Sequence, residues 1–148
     1  VKTHDLVGWE SSHPAAHEFH ALDVLGEQFP WTLSQWQLLK FQNEKIFYQQ
    51  DSKLAAFALY QLSPLEELAH LLKIVVVPES RGSGLAKVFM RDHLAMLRSE
   101  GFRRVYLEVA LSNVVAQSFY KRLGFIELRR IKGYYQDGQT AVTMELAI

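Results

Sequence analysis

The alternation of apolar and polar positions divides the chain into short segments with distinct periods. Ile74-Val75-Val76-Val77 is a β-branched run of the kind that forms a buried strand, and the strand reaches back to about Leu68. Pro78 stops it, because proline cannot donate to a sheet ladder. From Gly84 the period changes. Leu85, Phe89, Met96 and Leu97 recur on one helical face, with Lys87, Arg91 and Arg98 on another, up to Gly101. His93 falls inside the apolar arc, where a hydrogen-bonded core histidine is expected. Val105 to Val109 reads as a second buried strand. Asn113 to Arg122 reads as a short helix closed by Gly124, and Phe125–Ile131 and Thr140–Leu146 as two further strands around the polar connection Gly133 to Gly138.

The N-terminal half is less regular. A short strand fits within Val1 to Val7. Ser11-Ser12-His13-Pro14 is a helix-start signal, followed by Ala15, Phe19 and Leu22 at helical spacing and by Gly26 as a stop. Thr32 is placed to cap a second helix through Leu33, Trp36, Leu39 and Lys40. Residues 46–50 and 54–61 read as a hairpin around Asp51-Ser52-Lys53, and Ser63 to Glu67 as a loop. The pattern predicts one mixed α/β domain over residues 1–148, with hairpins at both ends and a βαβ unit in the middle.

Composition narrows the function classes. Of 148 residues, 49% are hydrophobic, enough for one core, and 16 Lys+Arg balance 16 Asp+Glu. Neutral charge gives no support for nucleic-acid or membrane-surface binding. The absence of cysteine excludes disulfides, thiolate metal sites and a cysteine nucleophile. No apolar run approaches the roughly 20 residues that span a bilayer. Val1 to Asp5 lack a signal peptide's basic and apolar regions. A soluble, cytoplasmic protein is the expectation. His13, His17 and His20 have a spacing that could hold a metal, but solvated helix histidines satisfy the same pattern, and no metal is expected.

Chemistry first suggests itself between the strand and the helix. Gly82 and Gly84 permit tight backbone conformations, and the first-turn amides of the following helix point at whatever lies before them. Strand, glycine loop and helix start make a cradle for a phosphate-bearing ligand, or a plain structural βα turn. A P-loop would need Gly-Lys-Ser/Thr, and a dinucleotide fingerprint a third glycine; Gly82-Ser83-Gly84-Leu85-Ala86-Lys87 has neither. The second feature is Glu108 inside Leu107-Glu108-Val109. A carboxylate in an apolar strand is paired or functional: a base, or a salt-bridge partner of Arg103, Arg104 or Lys121, or simply exposed at an edge. Phe29-Pro30-Trp31 is a packing corner or one wall of a cleft.

Val76-x-Pro78 followed by Arg81-x-x-Gly84-x-Ala86 resembles the acetyl-CoA motif of the GCN5-related N-acetyltransferases (GNAT), Arg/Gln-x-x-Gly-x-Gly/Ala. Ser112-Asn113 with Tyr120-x-x-Leu123-Gly124-Phe125 is similar to that family's second landmark. The resemblance implies a twisted mixed β-sheet flanked by helices on both faces, and direct acetyl transfer from acetyl-CoA to a primary amine. It implies that Ile74, Val75 and Val76 lie along the cofactor and that Arg81, Gly82, Ser83, Gly84, Leu85 and Ala86 hold its pyrophosphate. Asn113 then contacts the cofactor, Glu108 is the base, and Tyr120 is the acid that protonates the departing thiolate. Phe29-Pro30-Trp31, Leu107-Glu108-Val109, Arg130, Tyr134-Tyr135 and Asp137-Gly138 further resemble the bacterial ribosomal-protein-alanine N-acetyltransferases, the RimI branch. That likeness implies a protein N-terminus as acceptor, of the kind offered by the N-terminal alanine of a small-subunit ribosomal protein, with Trp31, Tyr134 and Tyr135 against it. A small-molecule amine is the alternative acceptor, and a non-catalytic acyl-CoA-binding domain a remoter one. Lys73 stands where that branch has Asn, Ala110 where it has Arg, and Gln139-Thr140 where it has Glu-Asp, all on the acceptor side.

Overall fold

The computed structural model describes residues 2–9, 14–26 and 28–148. The helix-start signal at Ser11 to His13 lies outside the described residues. Seven strands form one sheet in the order β1-β2-β3-β4-β5-β7-β6. They are β1 (Thr3–Leu6), β2 (Glu44–Gln50), β3 (Leu54–Ser63), β4 (Leu68–Val76), β5 (Arg104–Ala110), β6 (Ile126–Ile131) and β7 (Ala141–Ala147). All neighbours are antiparallel except β4 and β5, which run parallel as the crossover through a long helix requires.

Among the described residues, four α-helices cover the sheet. α1 (Ala16–Gly26) and α2 (Leu33–Gln37) lie on one face, where Phe19, Leu22 and Trp36 pack on Ile46, Phe57 and Leu59. α3 (Leu85–Ser99) and α4 (Val114–Arg122) lie on the other, where Phe89, Met90, Leu97 and Tyr120 pack on Ala58, Leu71 and Leu107. His93 is the buried core histidine expected, with Nε2 2.8 Å from the Tyr60 hydroxyl.

α2 is shorter than its sequence predicts. Thr32 caps it with a reciprocal box to Gln35, and the Leu38 amide still bonds back four residues to the Ser34 carbonyl, but the Leu39 amide bonds back only three, to Trp36, and Phe41 turns to a positive φ of 54°. That turn sets the Phe41 ring edge-on against Trp9, 5.0 Å away; this aromatic contact outweighs the propensity of Leu39 and Lys40 for another turn. Gly26 ends α1 as expected, and a second constraint acts there. A Cβ at this position would lie 2.2 Å from Cγ1 of Val75, so the absence of a side chain lets α1 rest directly on β4.

One irregularity in β4 decides where the site forms. Leu59 pairs with Lys73 and Tyr60 with Leu71, so Leu72 is an extra residue in the ladder. A bulge of this kind resets the alternation of side chains. Ahead of it, Ala69 and Leu71 enter the α3/α4 core; after it, Val75 enters the α1/α2 core. Lys73 is thereby turned under α1.

Candidate active site

Parallel pairing between β4 and β5 stops early. It runs from Leu68↔Arg104 to Leu71↔Leu107, and residues 72–76 and 108–110 have no rungs between them. Beyond the bulge the two strands splay. The gap opens a cleft of about 1190 Å3, walled by both strands and by the start of α3, with α4 and the β6–β7 connection opposite.

At one end of the cleft sits the glycine loop. Gly82 and Gly84 have φ values of +76° and +84°, in the left-handed region that favours glycine, and nothing lies within 4 Å of where a Cβ would project. Ser83 braces the turn, its hydroxyl donating to the Ser80 carbonyl and accepting from the Leu85 amide at 3.3 Å. Gly84 caps α3 with no side chain, which leaves the first-turn amides of Ala86 and Lys87 without a capping partner at the cleft mouth. Arg81, Lys87 and Arg122 line the same end. Bare amides, two unobstructed glycines and three cations suit a polyphosphate, so these residues fit the pyrophosphate of acetyl-CoA. Ile74, Val75 and Val76 line the cleft along β4. Asn113, across from them, spends its side-chain oxygen on the Ala116 amide and so caps α4.

Mid-cleft is a polar cluster centred on Glu108. Its carboxylate, 14% exposed, lies 2.7 Å from Nε2 of His70. The phenols of Tyr106 and Tyr134 stand near it, and both are pushed above their ordinary range, chiefly by burial and then by the neighbouring carboxylate. None of the three cations expected from the sequence partners Glu108. Arg104 shares its face of β5 but lies four residues away and pairs with Glu145 at 3.5 Å, while Arg103 bonds the carbonyls of Arg98 and Phe102. His70 escapes a sequence reading because it is one polar residue in an alternating strand. Its importance comes from β5 lying alongside, a pairing between residues 38 apart.

Tyr120 reaches the cleft from α4, on the opposite face of the sheet, with its ring between Phe119 and Phe125. The splay is what lets residues from both faces line one space. The roof joins two connections. Phe29 stacks on Tyr135 with centroids 5.7 Å apart and planes at 13°, and the Gln28 amide reaches Asp137 at 3.4 Å. Asp137 is held below the usual carboxylate range by hydrogen bonds from Gln139. Gln139 also meets the Ser112 hydroxyl and so ties the β6–β7 connection to the start of α4.

The floor beneath Trp31 holds a buried ion pair. Lys73 Nζ is 3.2 Å from Asp23 Oδ1 and donates to the Phe29 carbonyl at 3.2 Å, with the Trp31 ring 5.5 Å away. The other oxygen of Asp23 accepts from the Trp31 amide at 2.9 Å and from Trp36 Nε1 at 3.0 Å. Four groups thus fix the Phe29-Pro30-Trp31 corner to β4. That corner is both packing element and cleft wall, since Phe29 and Trp31 line the cleft.

Residues 8–125 match the model of the acetyltransferase (GNAT) family. The chain belongs to that family. A GNAT relative from Haemophilus ducreyi, a [ribosomal protein bS18]-alanine N-acetyltransferase, is 34% identical over 79% of this chain and 83% of its own length. An N-alpha-acetyltransferase of Saccharolobus solfataricus is 33% identical over 57% of this chain. This chain spans about half the length of that relative, 51%. Among solved structures, the ribosomal-protein-S18-alanine N-acetyltransferase from Escherichia coli superposes with a TM-score of 0.83 at 26% identity, covering 99% of this chain and 94% of the other. The GNAT fold expected from the motifs is the fold found.

Proposed function

We propose that residues 1–148 form one catalytic domain that moves an acetyl group from acetyl-CoA directly to a primary amine, most favourably the α-amine of a protein N-terminus. The observation that carries this reading is the splay of β4 from β5, which gives Glu108 and Tyr120, from opposite faces of the sheet, a common cleft beside the glycine loop. Acetyl-CoA supplies the acetyl group as a thioester. The amides of residues 81–86 hold its pyrophosphate, Ile74 to Val76 run alongside its arm, and Asn113 adds a contact. Glu108 removes a proton from the incoming ammonium, since only the free amine attacks, and Tyr120 gives one to the departing thiolate. Holding both reactants in one cleft supplies much of the acceleration.

A protein N-terminus is favoured over a compact amine because Trp31, Tyr134 and Tyr135 line the same cleft as Glu108 and offer aromatic walls to an extended chain. The names of the relatives from Haemophilus ducreyi and Saccharolobus solfataricus support the same acceptor class. The test is thiol release from acetyl-CoA with a panel of N-terminal peptides, including the alanine-led bS18 terminus, alongside polyamines and aminoglycosides. Turnover with peptides and not with the small amines is expected. Preference for a polyamine or aminoglycoside would move the chain to the small-molecule acetyltransferases, and no thiol release with any acceptor would leave a binding domain.

A further inference from the structure

We propose that His70 is a second proton-handling residue of this site, sharing with Glu108 the proton taken from the acceptor ammonium; this rests on the acetyl-transfer reading. The geometry is a 2.7 Å contact between His70 Nε2 and Glu108 Oε2, at a place where both side chains line the cleft. Glu108 has three polar neighbours, His70, Tyr106 and Tyr134. The two phenols, whose pKa values are raised, are protonated at working pH and cannot take up a further proton there. The imidazole is the one neighbour with a ring nitrogen able to accept a proton. With hydrogen on Nδ1, the His70 Nε2 lone pair faces Glu108, and the pair can pass a proton along this line.

The step balances without a further reactant. The ammonium N–H bond breaks and its proton goes to Glu108. The resulting O–H bond breaks in turn as His70 Nε2 takes the proton, which regenerates the carboxylate beside an imidazolium. The His70 side chain is 27% exposed, so it can release that proton to water while Glu108 stays within the cleft. The groups facing the imidazole are few among the described residues. On β5 they are Glu108 and the edge-on ring of Tyr106 at 5.0 Å, and on β3 the uncharged Gln61 opposite it in register. Lys73, three residues along β4, is committed to Asp23, and Arg129 from β6 acts on Tyr106. The negative charge nearest the imidazole is therefore that of Glu108.

The experiment compares wild type with His70→Gln, which keeps a donor to Glu108 but cannot take up a proton, and with His70→Asn should the first variant not fold. kcat and kcat/KM are followed against pH with the best acceptor peptide, and the His70 imidazole is followed by nitrogen-15 NMR in wild type and Glu108→Gln. A fall in kcat of about tenfold or more is expected, at the lower end of general-base effects. A changed acidic limb, an acetyl-CoA KM within about twofold of wild type, and an imidazole step displaced by Glu108→Gln are expected with it. A His70→Gln enzyme with wild-type turnover and an unaltered pH profile would overturn the proposal. If no acceptor is turned over by wild type, the acetyl-transfer reading has failed on its own. The NMR arm still decides the pair, since an imidazole that titrates identically in wild type and Glu108→Gln denies any shared proton.

Discussion

Two side chains carry the proposed chemistry, and their environments differ in a way that suits their roles. Tyr120 is 7% exposed and enclosed by aromatic rings, so a proton it gives up goes into the cleft and not to bulk water. Tyr120→Phe keeps that packing and removes only the hydroxyl. Turnover should fall by roughly 10²-fold while the Kd for acetyl-CoA stays within about twofold. Steady-state kinetics beside calorimetric binding would check this, and an unchanged kcat would remove Tyr120 from the acid role. Glu108→Gln keeps a polar side chain beside Tyr106 and Tyr134 but takes no proton. It should lower kcat/KM by a similar factor at neutral pH, with activity recovering as the bulk solution supplies free amine at high pH.

At the scale of elements, α1 is fixed to β4 at two points. The first is the Asp23–Lys73 pair with its four attached groups. Removing one partner of a buried pair costs about 3–5 kcal/mol, because the other charge is left without compensation. Asp23→Ala should lower Tm by roughly 10 °C. Adding Lys73→Met should recover part of the loss in a thermal melt, since no unpaired ammonium then remains. The second point is Gly26. An alanine there places a methyl on Val75, and overpacking of this kind costs about 1–3 kcal/mol. Val75→Ala in the same chain removes the obstructing Cγ1 and should restore most of the stability. Failure of that rescue would mean that something other than the Val75 Cγ1 limits the space at Gly26. Val75 also lines the cleft, so on the proposed reading Gly26→Ala should raise the acetyl-CoA KM as well.

Across the whole molecule, the α3 face holds a titratable group in its apolar interior. Burial lowers the pKa of His93 to about 3, with the ring stacked on Phe47 and bonded to Tyr60. The unfolded chain binds a proton at this residue near pH 6.5, and the folded chain does not until about pH 3. Between those values the unfolded state holds more protons, so stability is full above about pH 6.5 and declines as pH falls toward 3. The loss reaches on the order of 5 kcal/mol at the acid end of that window. Chemical denaturation from pH 7 to pH 4 should therefore show a steeper decline in wild type than in His93→Gln. Equal slopes would mean that His93 takes up its proton in the fold without penalty.

The sequence by itself determined the order and type of nearly every element, and it singled out the glycine loop, Glu108 and Tyr120, because these signals are local. A β-branched run, a proline stop, glycines at positive φ and a helical stripe act within a few residues of each other. It could not place Leu72 as a bulge, and without the bulge Lys73 and Val75 would face the α3/α4 side with Ala69 and Leu71. Nor could it name the partner of Glu108: the arginines nearest in sequence turned to Glu145 and to backbone carbonyls, and His70 came from the neighbouring strand. Strand alternation gives each side chain a face, but which residue stands opposite is set by register and by where two strands part. That separation of β4 from β5 was decided only in three dimensions, and it brings side chains from both faces of the sheet to one cleft.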